Sequence, residues 1–133
     1  MSAVLAPAPY SQHIVEATPL IAAALDGFDE TADDVLRACE KQEAFFFAAP
    51  SVFVVLKPVL TDMLIWAAGA RQKKASAIRR HMPEVEAWAR QMGARKCFFR
   101  TKRPGFGRIL GAGWYVCDLG SHYEWRKRLR HGA

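Results

Sequence analysis

The sequence predicts an α+β domain: a mixed central sheet of about six or seven strands with helices on both faces. Three observations lead there. Between Thr61 and Thr101 an apolar strand, a long amphipathic helix and a second strand follow one another, the order of a crossover that joins parallel neighbours in one sheet. Ahead of that unit, the apolar runs Ala44–Ala49 and Val52–Lys57 are separated only by Pro50 and Ser51, which predicts an antiparallel, hairpin-like pair. Finally, Phe45–Phe47 and Met63–Trp66 are continuous apolar runs rather than alternating ones, so both sheet faces there need cover.

Taken in order, residues 1–12 hold prolines and no periodicity, and they read as an N-terminal arm or short edge strand; residues 13–133 form the domain. Thr18 followed by Pro19 predicts a helix start and Gly27 a stop, giving a helix from about Pro19 to Leu25. A second helix starts at Thr31, with Asp33 and Asp34 at the positive end of its dipole, and runs to about Lys41. Pro58 and Asp62 bracket the turn into the strand Met63–Ala67, the centre of an apolar stretch Thr61–Ala68, and a polar, basic turn fills Gly69–Ser76. Ile78, Met82, Val85, Ala89 and Met92 recur at three- and four-residue steps, so Ala77–Met92 reads as one helix, bent by Pro83 and ended by Gly93. The strand Lys96–Thr101 follows, then a short helix from Pro104 to Gly111, and strands at Trp114–Cys117 and Tyr123–Leu129. In the last of these, Tyr123, Trp125, Lys127 and Leu129 share one face, and Glu124, Arg126, Arg128 and Arg130 the other. Phe46, Val54, Ile65, Val85, Met92, Phe98 and Trp114 are the expected core.

At 133 residues the chain is long enough for one core and too short for two. No apolar run approaches the roughly 20 residues of a membrane span, and Met1–Pro9 lacks the basic start and longer apolar core of a secretory signal. These features point to a soluble, intracellular protein without a membrane partner. Cys39, Cys97 and Cys117 stand at no metal-ligand or redox spacing, which reads as reduced structural thiols and no metal site. Charge is unevenly distributed: residues 1–70 carry three basic and nine acidic side chains, residues 71–103 eleven basic and two acidic. Such a basic segment suits phosphates, whether of a nucleotide cofactor or of nucleic acid. A dedicated DNA-binding protein has only that charge to support it, because no helix-turn-helix, zinc or aromatic-platform motif is present.

The helix end Ala87-Trp88-Ala89-Arg90-Gln91-Met92-Gly93-Ala94, followed by a strand, a short helix and Gly113-Trp114, resembles the second half of the GNAT superfamily of N-acetyltransferases. More narrowly, Ile65-Trp66-Ala67-Ala68-Gly69, the helix from Pro83 to Arg90 and the stretch Arg103–Leu110 resemble small GNAT-like proteins of tailed bacteriophages. The resemblance implies that Met63–Ala67 and Lys96–Thr101 are parallel and diverge at their C-terminal ends. It also implies acetyl-CoA as acyl donor, with backbone amide from Trp66, Ala67 and Ala68 orienting the thioester and Gln72, Lys73, Lys74, Ala75, Ser76 and Ala77 holding the pyrophosphate. Ala75 stands where the superfamily's turn has a glycine, and Arg71, Lys73 and Lys74 supply charge instead. Ile109 occupies the place of the tyrosine that protonates the leaving thiolate, Lys102 that of an asparagine, and Asp62 is the only carboxylate near the fourth strand, so the catalytic residues stay unassigned. Two functions follow from the resemblance: an N-acyltransferase acting on an unidentified amine, or a non-catalytic phage virion or assembly protein. The second would bind a phage protein or DNA through Arg71, Lys73, Lys74, Arg79 and Arg80. Host cytoplasm is the expected location, with virion association in the second case.

Overall fold

The computed structural model describes residues 4–70, 75–103, 105 and 110–130. One seven-stranded mixed sheet is formed by β1 (Ala6–Pro7), β2 (Phe45–Ala49), β3 (Val52–Val59), β4 (Asp62–Ala70), β5 (Lys96–Thr101), β6 (Tyr115–Asp118) and β7 (Tyr123–Arg128), in the order β1-β2-β3-β4-β5-β7-β6. Among the described residues the α-helices are α1 (Ile14–Ala24), α2 (Ala32–Glu40) and α3 (Ala75–Gln91), and the short helix expected from Pro104 falls largely outside those residues. None of the helices is long and apolar enough to cross a membrane among the described residues.

Two apolar layers explain the continuous runs in β2 to β4. On one face α3 buries Met82, Val85 and Ala89 in a cluster with Val54, Leu56, Met63, Ile65, Cys97 and Phe99. On the other, Ala17, Ile21 and Leu25 of α1 and Val35 and Ala38 of α2 cover Phe46, Phe53, Val55, Leu64, Trp66 and Phe98. Every strand residue in such a sandwich meets a dry neighbour, so alternation disappears from the sequence. As expected, the hairpin turns at Pro50 and Ser51, and β5 has the predicted bounds.

Local signals fix α2 and the end of α3. Thr31 accepts the amide of Asp34, whose carboxylate accepts from the Thr31 amide in return, a capping box that satisfies two otherwise unpaired donors. At the end of α3, Gly93 has φ +87° and the Ala94 amide reaches back to the Ala89 carbonyl. That closure buries Ala94 and turns Met92 outward: Met92, expected in the core, is 38% exposed. Of the other expected core residues, Phe46, Val54, Ile65, Val85 and Phe98 are buried, and Trp114 is half-buried with its ring 5.4 Å from Phe99.

The first helix differs from expectation. It begins at Ile14 rather than Pro19, after a 3-10 turn at Tyr10–Gln12, and Pro19 lies inside it. Tertiary packing overrides the local cap here. Tyr10, Ala17 and Ile21 are buried in one cluster, and the Thr18 hydroxyl bonds the Tyr10 hydroxyl at 2.9 Å instead of capping a helix. In the arm, β1 pairs with β2, and the buried Leu5 is held by α3, its amide donating to Glu84 and its carbonyl accepting from Trp88.

Expected to lie in a turn, Gly69 is instead part of β4, where α1 crosses it. A Cβ at Gly69 would come within 2.5 Å of the Phe53 ring and 3.0 Å of Leu20 Cβ. Because Phe53 is itself stacked on Phe46 at 5.6 Å, it has little room to withdraw. Gly69→Ala is expected to destabilise the fold by about 1–3 kcal/mol through overpacking, read as a lower denaturant midpoint at unchanged slope.

Candidate functional site

The sheet consists of two antiparallel blocks, β1 to β4 and β5-β7-β6, joined where β4 and β5 run parallel. That junction is short: Met63 pairs with Cys97 and Leu64 with Phe98, after which β4 continues to Ala70 and β5 to Thr101 without further register. The strands therefore diverge toward their C-terminal ends as expected, and the resulting V leaves the β5-facing backbone groups of β4 without a strand partner.

On its other edge β4 is bulged. Val55 pairs with Ala67 but Leu56 with Ile65, so Trp66 is the extra residue. The bulge brings both Trp66 and Ala67 into the cluster under α1, while Ala68 packs against the opposite one. It thus lies just where the V opens, two residues beyond the last parallel pair.

Among the other residues expected at the site, Trp66, Ala67 and Ala77 are buried and Ala68 is half-buried. Ala75 and Ser76 form the first turn of α3. Arg71, Gln72, Lys73, Lys74 and Ile109 lie outside the described residues. No acidic residue occupies the first turn of α3, so the positive end of its dipole faces no carboxylate of its own helix. Lys102 is exposed, its ammonium 4.9 Å over the Phe28 ring and donating to the Ser121 carbonyl. Asp62 opens β4, at the closed end of the V.

Two residues that the sequence reading did not single out meet at the mouth of the V. Arg100 on β5 and Glu30 in the α1–α2 connection form an ion pair at 3.4 Å, through one guanidinium nitrogen. Their side chains are 34% and 33% exposed, so the pair contributes at most about 1 kcal/mol. With Phe28, Leu25, Leu64 and Trp66 they line a niche of about 10 Å³, room for no more than one water. The Trp66 indole N–H has no hydrogen-bond partner among the described residues, a condition shared by Trp114 and Trp125. Lys57 sits 4.6 Å from the centre of the Trp66 ring. A larger groove of about 440 Å³ borders α1, the arm and the β2–β3 hairpin, and no β5 residue lines it.

At the closed end of the V, Cys97 is buried, and its thiol is pushed up to about 12 by that burial and by Glu86, against the opposing effect of Arg90 and Lys127. Burial likewise pushes Cys39 up to about 11, with Glu40 adding to it. Both folded values exceed the ordinary thiol value near 9, so each thiol contributes stability that is whole below that value and lost as the pH rises toward 11–12. Cys97→Ala should therefore flatten the fall in unfolding free energy between pH 9 and 11, relative to the parent protein, by up to about 1.4 kcal/mol per pH unit. Equilibrium urea unfolding across that range measures it.

No model of a known protein family matches the chain, and no curated protein matches it. Solved structures do. The aminoglycoside 6'-acetyltransferase type Ii superposes with TM-score 0.69 at 12% identity, covering 98% of this chain and 99% of that one. An acetyltransferase from Thermus thermophilus gives 0.60 at 20% identity, covering 97% and 100%. A Desulfovibrio desulfuricans protein assigned to the GNAT family gives 0.66 at 15%, covering 96% and 99%. The chain has the fold of the GNAT acetyltransferases.

Proposed function

We propose that the protein is an N-acyltransferase that moves the acyl group of acetyl-CoA to an amine. The observation that carries this reading is the V between β4 and β5, with its bulge at Trp66. An extended chain bearing amides, such as the pantetheine arm, can enter a parted sheet and take up the free backbone groups of β4, much as an added strand would. The N-terminus of α3 follows at the end of β4 and suits the pyrophosphate, with Lys73 and Lys74 beside it in sequence.

The chemistry asked of the protein is modest. Acetyl-CoA supplies an activated thioester carbonyl; the chain's task is to hold it by backbone N–H in the segment 66–68 and to hold the amine against it. Positioning two reactants contributes about 7–11 kcal/mol in favourable cases, whereas a general acid or base adds about 100- to 10,000-fold each. Ile109 in place of a tyrosine thus removes one accelerating group and leaves the larger contribution intact.

A second reading has an observation of its own. Lys96, Arg100, Arg126 and Arg128 share one face of β5 and β7 by register and remain half- or fully exposed; even with Glu30 paired to Arg100 and Glu124 to Arg126 the strip stays net basic, suited to a phage protein or DNA held by a non-catalytic scaffold. Acetyl-CoA separates the two readings. For the enzyme, it should stabilise the fold by roughly 2.7 kcal/mol at a hundredfold excess over its dissociation constant, and Lys73→Glu with Lys74→Glu should shrink the thermal shift. A melt unaffected by millimolar acetyl-CoA would overturn the acyltransferase reading.

A further inference from the structure

Trp66 and Arg100 each lie two residues beyond the last parallel pair, Leu64 and Phe98, so the pleat puts them on the same face, across the open V from each other. The α1–α2 connection brings Glu30 over that gap. A cation and an anion are thus gathered beside the bulge, over a niche that Trp66 lines. Building on the acyltransferase reading above, we propose that the acceptor is a small amino acid, its carboxylate bound by Arg100 and its amine by Glu30.

Charge balance selects this class. The niche is too small for any acceptor while Glu30 and Arg100 touch, so entry must part them. A simple amine would take Glu30 and leave the half-buried guanidinium without its carboxylate, and a simple acid would do the reverse. A zwitterion replaces both partners at once, whereas a singly charged compound leaves one of them to solvent, a modest disadvantage for side chains about one-third exposed. Arg100 is suited to the exchange: its planar fork can grip a carboxylate through two nitrogens, but Glu30 engages only one. Trp66 forms part of the wall of the same niche, so its indole reports on whatever enters.

Glu30 also supplies the base that the fourth strand lacks. It removes one proton from the bound ammonium and passes it to solvent. The freed amine attacks the thioester carbon, forming a C–N bond as the C–S bond breaks. The second proton of the attacking nitrogen leaves with the thiolate, so an N-acyl amino acid and a free thiol result.

The test compares L-alanine, L-methionine and L-lysine with their carboxamides in thiol release from acetyl-CoA. It is paired with titration of the same six compounds into the protein alone, following the Trp66 indole resonance, assigned with Trp66→Phe. The acids should exceed the amides by about fivefold in kcat/KM. Arg100→Gln should erase that preference and Arg100→Lys keep part of it, while Glu30→Gln should lower kcat more than it changes KM. Carboxamides used as well as the acids, or an indole resonance that millimolar amino acid leaves unmoved, would overturn the proposal. An indole shift with amino acids in a protein that does not bind acetyl-CoA would support the amino-acid site and overturn only the acyltransferase reading.

Discussion

Two register pairs, Met63 with Cys97 and Leu64 with Phe98, hold the two halves of the sheet together, and everything that can be asked of the molecule depends on how short that junction is. On either side the strands are antiparallel and fully laddered: β5 follows β7 along its whole length, and β4 follows β3 from Asp62 to Ala70 with one interruption. The backbone bond from the Arg95 amide to the Thr61 carbonyl adds one more tie at the closed end. Packing there is tight, with Met63 and Cys97 almost wholly inaccessible beneath Val85 and Ala89 of α3. A tightly packed junction flanked by two laddered blocks fixes the level at which β4 and β5 part.

The bulge extends the same logic. Inserting Trp66 between Ile65 and Ala67 shifts the pleat, so that two consecutive side chains turn toward α1 at the level where the arms part. One consequence is steric: the Trp66 ring fills the floor of the face under α1 and is backed by the Lys57 ammonium. The other is polar, since a buried indole N–H without an acceptor costs free energy that a smaller apolar ring would not.

Much of the fold was legible because its signals are local. Thr31 with Asp34, the Pro50–Ser51 break, Gly93 and the bounds of β5 all act within a few residues, and the structure forms each where the sequence says. Elements decided by distant packing were not. The start of α1 is set by Tyr10 and Ile21 meeting the Phe46 cluster, not by Thr18 and Pro19, and Met92 is turned out by a closure that Ala94 completes. The bulge is hidden for a related reason: in a run as uniformly apolar as Met63–Ala68, a one-residue slip in the pleat leaves no trace.

Within the candidate site the division is the same. Trp66, Ala67 and Ala68 stand at the opening of the V, whereas the basic turn at Gln72–Lys74 lies outside the described residues. Glu30 and Arg100 carried no sequence signal, because seventy residues separate them and each, taken alone, looks like an ordinary surface charge. Only the register shows that Arg100 shares a face with Trp66, and only the path of the α1–α2 connection brings a carboxylate to it. Local patterns therefore locate the strand that lines the V, while the charged side chains at its mouth come from elements that meet only once the chain has folded. The strand pattern of β4 and β5 gives no hint of Glu30, which reaches Arg100 from the connection between α1 and α2.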